Sequence, residues 1–302
     1  FCPYMDWKFV SSSYNPTYNS IFKVWFGARM PLFLFISGFL FSYLLFVKNK
    51  YQSFTGFVWN KTKRLLIPYL IFATLIMLSH DKLSWVYLKN GYWHLWFLLT
   101  LFWCFIVTRF FKKVDYPLFH ILFLIAVTCL SLFVKTKIKF GINHFVFEYV
   151  YFFWGYVLAR YRNKLSILFE KKYVVLFFVS WFVLNCFRMH YGAMNMYLMY
   201  ASNITFIFFV YGLLQQLMQG GWINENPFVE TMNKYSYGIY VFHAWLISLL
   251  FIKGNFYSEW IYGRAIANPV AFPVLLFVFV FVVSMLITHF LLKTKTGRFL
   301  IG

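Results

Sequence analysis

Apolar runs of membrane-spanning length follow one another along almost the whole chain, parted only by short polar segments. A helix of roughly 20 apolar residues crosses a bilayer core about 30 Å thick, so repeated runs read as a polytopic bundle. The runs are continuous rather than alternating at period two, which excludes a transmembrane β-barrel. Of 302 residues, 62% are hydrophobic, 26% aromatic and 12% charged, whereas a soluble domain needs about 25% charged residues. A soluble globular protein, a disordered tail and a collagen-like fibre are excluded.

Reading from one polar break to the next predicts an all-α polytopic bundle of about nine spans, near 24–47, 65–79, 93–111, 117–134, 144–160, 173–187, 203–219, 235–252 and 270–292. The runs 65–79 and 173–187 are short for a bilayer and are expected to borrow flanking residues. With no internal repeat, low-complexity segment or long linker, residues 1–302 read as one membrane-embedded domain. The chain begins with Phe1 and has no basic segment followed by a short apolar one, so it is expected to lack its true beginning.

The formal net charge is +20. In a soluble chain that excess would suggest nucleic acid; in a membrane chain it reads as loop charge beside an anionic leaflet. Alternate polar segments carry 17 and nine Lys and Arg residues, the richer set including 48–64, 160–172 and 293–298. The richer set is read as cytoplasmic, with the tail after Leu292 inside and residues 1–20 outside. An odd number of spans then predicts one further helix before Phe1. Cys2, Cys104, Cys129 and Cys186 form no CxxC pair and read as small core residues. The 43 Phe and 23 Tyr read as lipid-facing bulk and interface anchors, as at Trp93, Trp96, Trp222, Trp260 and Tyr262, rather than as stacking platforms.

Polar groups inside a membrane are costly, so each is a candidate site. Arg29 precedes the run Met30 to Leu40, which Pro31, Ser37 and Gly38 interrupt; small residues there admit a close helix or a ligand. Arg29 could equally be a snorkelling cation. Lys61, Lys63 and Arg64 precede an apolar segment and read either as an anchor or as a phosphate clamp for a nucleotide-bearing donor. Glu148 is the carboxylate well inside a span, one helical turn after His144, which could pair with it. His243 follows Tyr237-Gly238-Ile239-Tyr240 in an apolar helix and could serve as base, relay or packing residue. His289 reads as packing. No GxSxG, HExxH, Walker or Rossmann pattern is present.

The segment Arg29 to Leu40, followed by Lys61 to Tyr69 ending in Ile-Pro-Tyr, resembles the "MPLFFxxSGFL... KxxRLxxPY" signature of the bacterial membrane acyltransferase 3 family. Leu95 to Leu98 is similar to its "LWFL", Phe152 to Leu158 to its "FFxxGYxL", Tyr235 to His243 to its "SxGIYxxH", and Thr296 to Gly302 to its C-terminal end. The resemblance covers roughly residues 25–302. It implies a ten-helix bacterial inner-membrane enzyme that moves an acyl group, most commonly acetyl, from cytosolic acyl-CoA to a hydroxyl of an envelope polysaccharide or lipid-linked sugar. Its partners are then membrane lipids, acyl-CoA and that glycan, with no nucleic acid, metal or bound prosthetic group. The family's leading catalytic Arg and His lie in and just after its first helix, and no residue here matches either. Arg29 stands where many members have His. The catalytic candidates are His243 and Arg29; the substrate-binding candidates are Ser37, Gly38, Lys61, Lys63, Arg64, Trp96, Glu148 and Tyr240. The rival reading is an exporter or flippase for the same glycans, for which a matched pair of broken helices is expected and not found.

Overall fold

In the computed structural model the described residues are 27–79, 83–85, 91–133, 142–191, 196–219, 227–250 and 271–301, and among them there is no β-strand. The helices are α1 (Arg29–Phe46), α2 (Phe54–Lys61), α3 (Ile67–Leu78), α4 (Trp96–Phe110), α5 (Pro117–Phe133), α6 (Ile142–Arg160), α7 (Arg162–Leu165), α8 (Lys171–Tyr191), α9 (Met196–Gln219), α10 (Pro227–Leu250), α11 (Ala271–Lys293) and α12 (Lys295–Ile301). Each apolar run expected to span has a helix over it. Arg29–Phe46, Lys171–Tyr191, Tyr197–Gln219 and Ala271–Lys293 are long and apolar enough to cross a bilayer. Their outward faces are apolar: Val175, Leu176, Phe182 and Val183 on α8, and Leu275, Phe277, Phe279 and Phe290 on α11, are exposed. An apolar surface of this extent requires lipid around it, and the chain is a multi-pass membrane protein.

The chain divides into two compact units. One comprises 24–73 and 82–224; the other comprises 1–23, 74–81 and 225–302. The centre of the first is the crossing of α1 on α6. A Cβ added at Gly38 would overlap the Phe152 carbonyl, and one added at Gly155 would overlap the Phe35 carbonyl. The two glycines therefore let the backbones touch, as small residues do in membrane bundles. Phe35, Phe41, Phe152, Phe153 and Tyr156 are fully buried around the crossing.

Local structure follows from particular residues. Pro31 lies in the first turn of α1, where its missing N–H would have had no helical acceptor. It begins the helix rather than interrupting it, contrary to expectation. Ser53 caps α2, its Oγ accepting from the Gly56 N–H. Between α2 and α3 the backbone widens into a π turn, Thr62–Leu66, in which the Ile67 N–H donates to the Thr62 carbonyl. Pro68 follows and cannot donate; its ring would press on the Arg64 carbonyl in a regular helix, and the wider turn relieves that contact.

At the basic end of this unit Arg160 donates to Asp115 Oδ1 at 2.9 and 3.2 Å, to the Tyr156 hydroxyl at 2.9 Å and to the Phe111 carbonyl at 3.2 Å. Its guanidinium also lies 4.3 Å from the Phe46 ring centre. One side chain thus ties α6 to the α4–α5 connection and to α1.

In the second unit α10 packs on α11, and Gly238 lies against the Thr288 side chain. Tyr235 and His289 Nδ1 share a hydrogen bond of 2.8 Å. His289 therefore has a polar partner, on a neighbouring helix where spacing along its own helix gives no sign of it. Cys104 is buried, as expected of a core residue, whereas Cys129 and Cys186 face outward; their apolar thiols suit lipid as well as a core. Cys2, Trp222, Trp260 and Tyr262, and the side chain of Trp93, lie outside the described residues.

Candidate active site

A polar cluster lies buried between α6, α8 and α9. Val174, Trp181, Asn185 and Arg188 form the buried stripe of α8, a spacing that keeps them on one helix face. Arg188 Nη1 donates to Asn185 Oδ1 at 3.0 Å, and Asn185 Nδ2 donates to Ser202 Oγ at 3.0 Å and to the Trp181 carbonyl at 2.8 Å. One residue along α9, Asn203 Nδ2 donates to the Tyr151 hydroxyl at 3.1 Å. The Tyr200 hydroxyl donates to the Phe147 carbonyl at 2.6 Å, and the Tyr151 and Tyr200 rings stack 5.6 Å apart. Gly27, just before α1, faces Asn203 Oδ1 and Arg188 Nη2, so the start of α1 closes one side of the cluster.

Two acceptor atoms in this region are buried without a hydrogen-bond partner among the described residues: Glu148 Oε2 and Asn203 Oδ1. Tyr151 lies within electrostatic reach of both Glu148 and Arg188. His144 does not pair with Glu148 as its spacing suggested. Its ring stacks on Trp96 instead, 4.1 Å between centres. The flat indole face draws the imidazole away from the carboxylate one turn below.

Burying polar groups in a bilayer costs several kcal/mol unless each finds a partner. A buried cluster that leaves two acceptors empty is suited to a ligand bearing hydroxyl groups. Arg188, Asn185 and Asn203 supply fixed positive and dipolar groups able to stabilise charge on an oxygen.

The other expected site residues lie elsewhere. Lys61 is turned inward: its Nζ lies 3.4 Å from the Phe105 ring centre, with Tyr51 at 5.3 Å and Phe57 at 5.8 Å. Tyr51 holds its place in this cage from a left-handed backbone, φ 64°, which a tyrosine rarely adopts. Arg109 Nη2 donates to the Tyr51 and Gln52 carbonyls at 2.9 and 3.2 Å and fixes that loop. Burial first, and the neighbouring Arg64 cation second, push the Lys61 ammonium from 10.5 down to about 7. Lys61 is therefore part of the fold's interior, while Lys63, over the Trp59 ring at 5.0 Å, and exposed Arg64 remain at the surface.

Gly38 is filled by α6, so the close helix approach, and not a ligand, uses it. Ser37 is half-buried and Arg29 exposed on α1. In the second unit, His243 Nδ1 lies 3.0 Å from the Ile239 carbonyl and 2.7 Å from the Tyr240 carbonyl. Carbonyls only accept, so Nδ1 carries the hydrogen and Nε2 the lone pair, the tautomer of a base. The Tyr240 ring lies beside the imidazole, 6.2 Å between centres.

Sequence reasoning missed Arg188, Asn185, Asn203 and Tyr151. Arg188 reads as one more loop charge when cations are only counted. Asn185 and Arg188 at a spacing of three, inside an otherwise apolar run, were the available signal.

Comparison with curated proteins and with solved structures returned no match. A family model described as "Acyltransferase domain", that of acyltransferase 3, matches residues 3–289. A match over nearly the whole length, on a multi-pass helical chain with a buried polar cluster, places it: the chain belongs to the acyltransferase 3 family of membrane acyltransferases.

Proposed function

We propose that this protein transfers an acyl group, acetyl in the simplest case, from cytosolic acyl-CoA to a hydroxyl of an envelope polysaccharide or lipid-linked sugar. The buried Glu148 carboxyl, with one oxygen unpartnered and within electrostatic reach of Tyr151 and Tyr200 in the polar cluster, carries this reading. A sugar hydroxyl ionises far above pH 7, so acylation needs a group to take its proton and a positive group for the tetrahedral oxyanion. Glu148 accepts the hydroxyl's hydrogen bond and then its proton. Arg188 and the amides beside it face the charge that develops on the carbonyl oxygen. The thiolate of CoA leaves and takes up, through water, the proton that Glu148 removed, which returns the carboxylate for the next turnover.

On the donor side, Lys63 and Arg64 meet the phosphates of CoA, and Lys61 supports the turn that presents them. The protein lies in the bacterial cytoplasmic membrane, with the basic segments and the tail after Leu292 on the cytoplasmic side. No metal or resident cofactor takes part in this scheme.

The experiment is an acyl-transfer assay on membranes containing the full-length protein, with radiolabelled acetyl-CoA. The expected result is label in a glycan fraction, released by mild alkali as acetate. Glycan that crosses the membrane without acquiring label would identify an exporter instead.

A further inference from the structure

The cavity between α1, α7 and α9 shares no lining residue with the polar cluster and has a volume of about 710 Å³. Phe39 and Leu40 on one side and Leu214 and Met218 on the other make its walls apolar, and Leu40, Leu214 and Met218 are exposed. In a membrane-embedded helix, exposed apolar walls face acyl chains, so the cavity is a groove open to lipid.

Its polar end is specific. Arg162 lines the groove and has no carboxylate partner among the described residues. The segment from Arg160 to Lys172 holds five cations and a single acid, Glu170. Gln215 also lines the groove, and its Oε1 is buried with no hydrogen-bond partner among the described residues. A ligand that completes this end must carry negative charge for Arg162 and a hydrogen-bond donor for Gln215. One lining cation suits one phosphodiester, whereas CoA brings several phosphates. The residues facing Lys61, by contrast, are those that pack around Phe41 on another face of α1.

We infer that the groove between α1 and α9 holds an anionic phospholipid with a hydroxyl-bearing headgroup, its phosphate on Arg162, a headgroup hydroxyl on Gln215 and an acyl chain along Leu40 and Leu214. Phosphatidylglycerol has this chemistry. The inference does not rest on the proposed acyl transfer.

The test is native mass spectrometry of the full-length protein in detergent, titrated with dioleoyl phosphatidylglycerol or dioleoyl phosphatidylcholine. The expected result is about fivefold tighter retention of phosphatidylglycerol, the factor for one cation facing one anionic headgroup. Arg162→Gln, at an exposed position on α7, should abolish that preference and leave phosphatidylcholine unchanged. Leu214→Trp, which fills the groove from its exposed side, should lower retention of both lipids. Equal retention of the two lipids by the unaltered protein, or an undiminished preference in Arg162→Gln, would overturn the proposal. So would displacement of the lipid by glycerol 3-phosphate alone, which would show a phosphate site without a groove, or by palmitoyl-CoA at lower concentration than phosphatidylglycerol, which would make the groove a donor site.

Discussion

The Lys61 ammonium lies 3.4 Å from the centre of the Phe105 ring, closer than to either of its other aromatic neighbours. A cation over an aromatic face is stabilised by the ring quadrupole, yet burial still favours the neutral amine. Between pH 7 and 10.5 the unfolded chain, with Lys61 protonated, binds more protons than the folded one, so stability rises with pH across that window. The burden of the buried charge is fully present below pH 7. Thermal unfolding in detergent should show a rise on the order of 1–3 kcal/mol from pH 7 to 10, less than the full displacement because the rings stabilise the cation. Lys61→Met should flatten that part of the profile. An unchanged slope in the variant would place the ammonium in water.

Gly38→Ala should be among the most damaging small substitutions in the chain, since its Cβ would overlap the Phe152 carbonyl at the α1–α6 crossing. Overpacking of this kind costs about 1–3 kcal/mol, and more where backbone must move. Gly56→Ala is the control: its Cβ would meet only the Ser53 side chain, in ordinary contact. In an exposed helix that change stabilises by up to about 1 kcal/mol. Heating followed by size-exclusion chromatography would rank the two; equal stability would contradict the crossing.

Arg160→Ala removes partners from Asp115, Tyr156 and the Phe111 carbonyl together. Arg160 is nearly buried and Asp115 mostly exposed, with side-chain exposures of 9% and 75%. Loss should therefore come chiefly from the arginine side, about 2–4 kcal/mol for Arg160→Ala against under about 1 kcal/mol for Asp115→Asn. Lys172→Ala, which breaks the exposed pair with Glu170, should change nothing measurable. Equal effects at all three sites in a thermal assay would contradict this assignment.

His243 holds its Nδ1 hydrogen toward its own helix, which leaves Nε2 with the lone pair. Acyl transfer by His243→Gln and His243→Ala, compared at equal membrane abundance, separates its possible roles. Loss in both variants, by about a hundredfold or more, is the outcome for a proton-transferring imidazole. Activity retained in glutamine alone would mark an orienting group, and full activity in alanine would make it a packing residue.

The helices were legible because apolar runs of fixed length have few alternatives in a bilayer, and every expected run carries a helix. The glycine at position 38 was legible as a place of close approach, though its sequence could not distinguish a neighbouring helix from a ligand. Lys61 was misleading for a physical reason: a long side chain can reach either face of its helix, and the cage that captures it draws on Tyr51 and Phe105, far apart in the chain. The polar cluster was the least legible part. Asn185 meets Ser202 and Asn203 meets Tyr151 across different helices, and no periodicity within one helix encodes such a pairing. Glu148 drew attention as an intramembrane carboxylate, but its nearest helical neighbour, His144, is held by Trp96.

The most direct test of the proposed chemistry is acyl transfer by the Glu148→Gln protein, measured with radiolabelled acetyl-CoA at the same membrane abundance as the unaltered protein. Glutamine keeps the size and a hydrogen-bonding oxygen but cannot take a proton. The account predicts a fall in transfer of about a hundredfold or more, with the folded protein retained in the membrane. Transfer at the unaltered rate would contradict it.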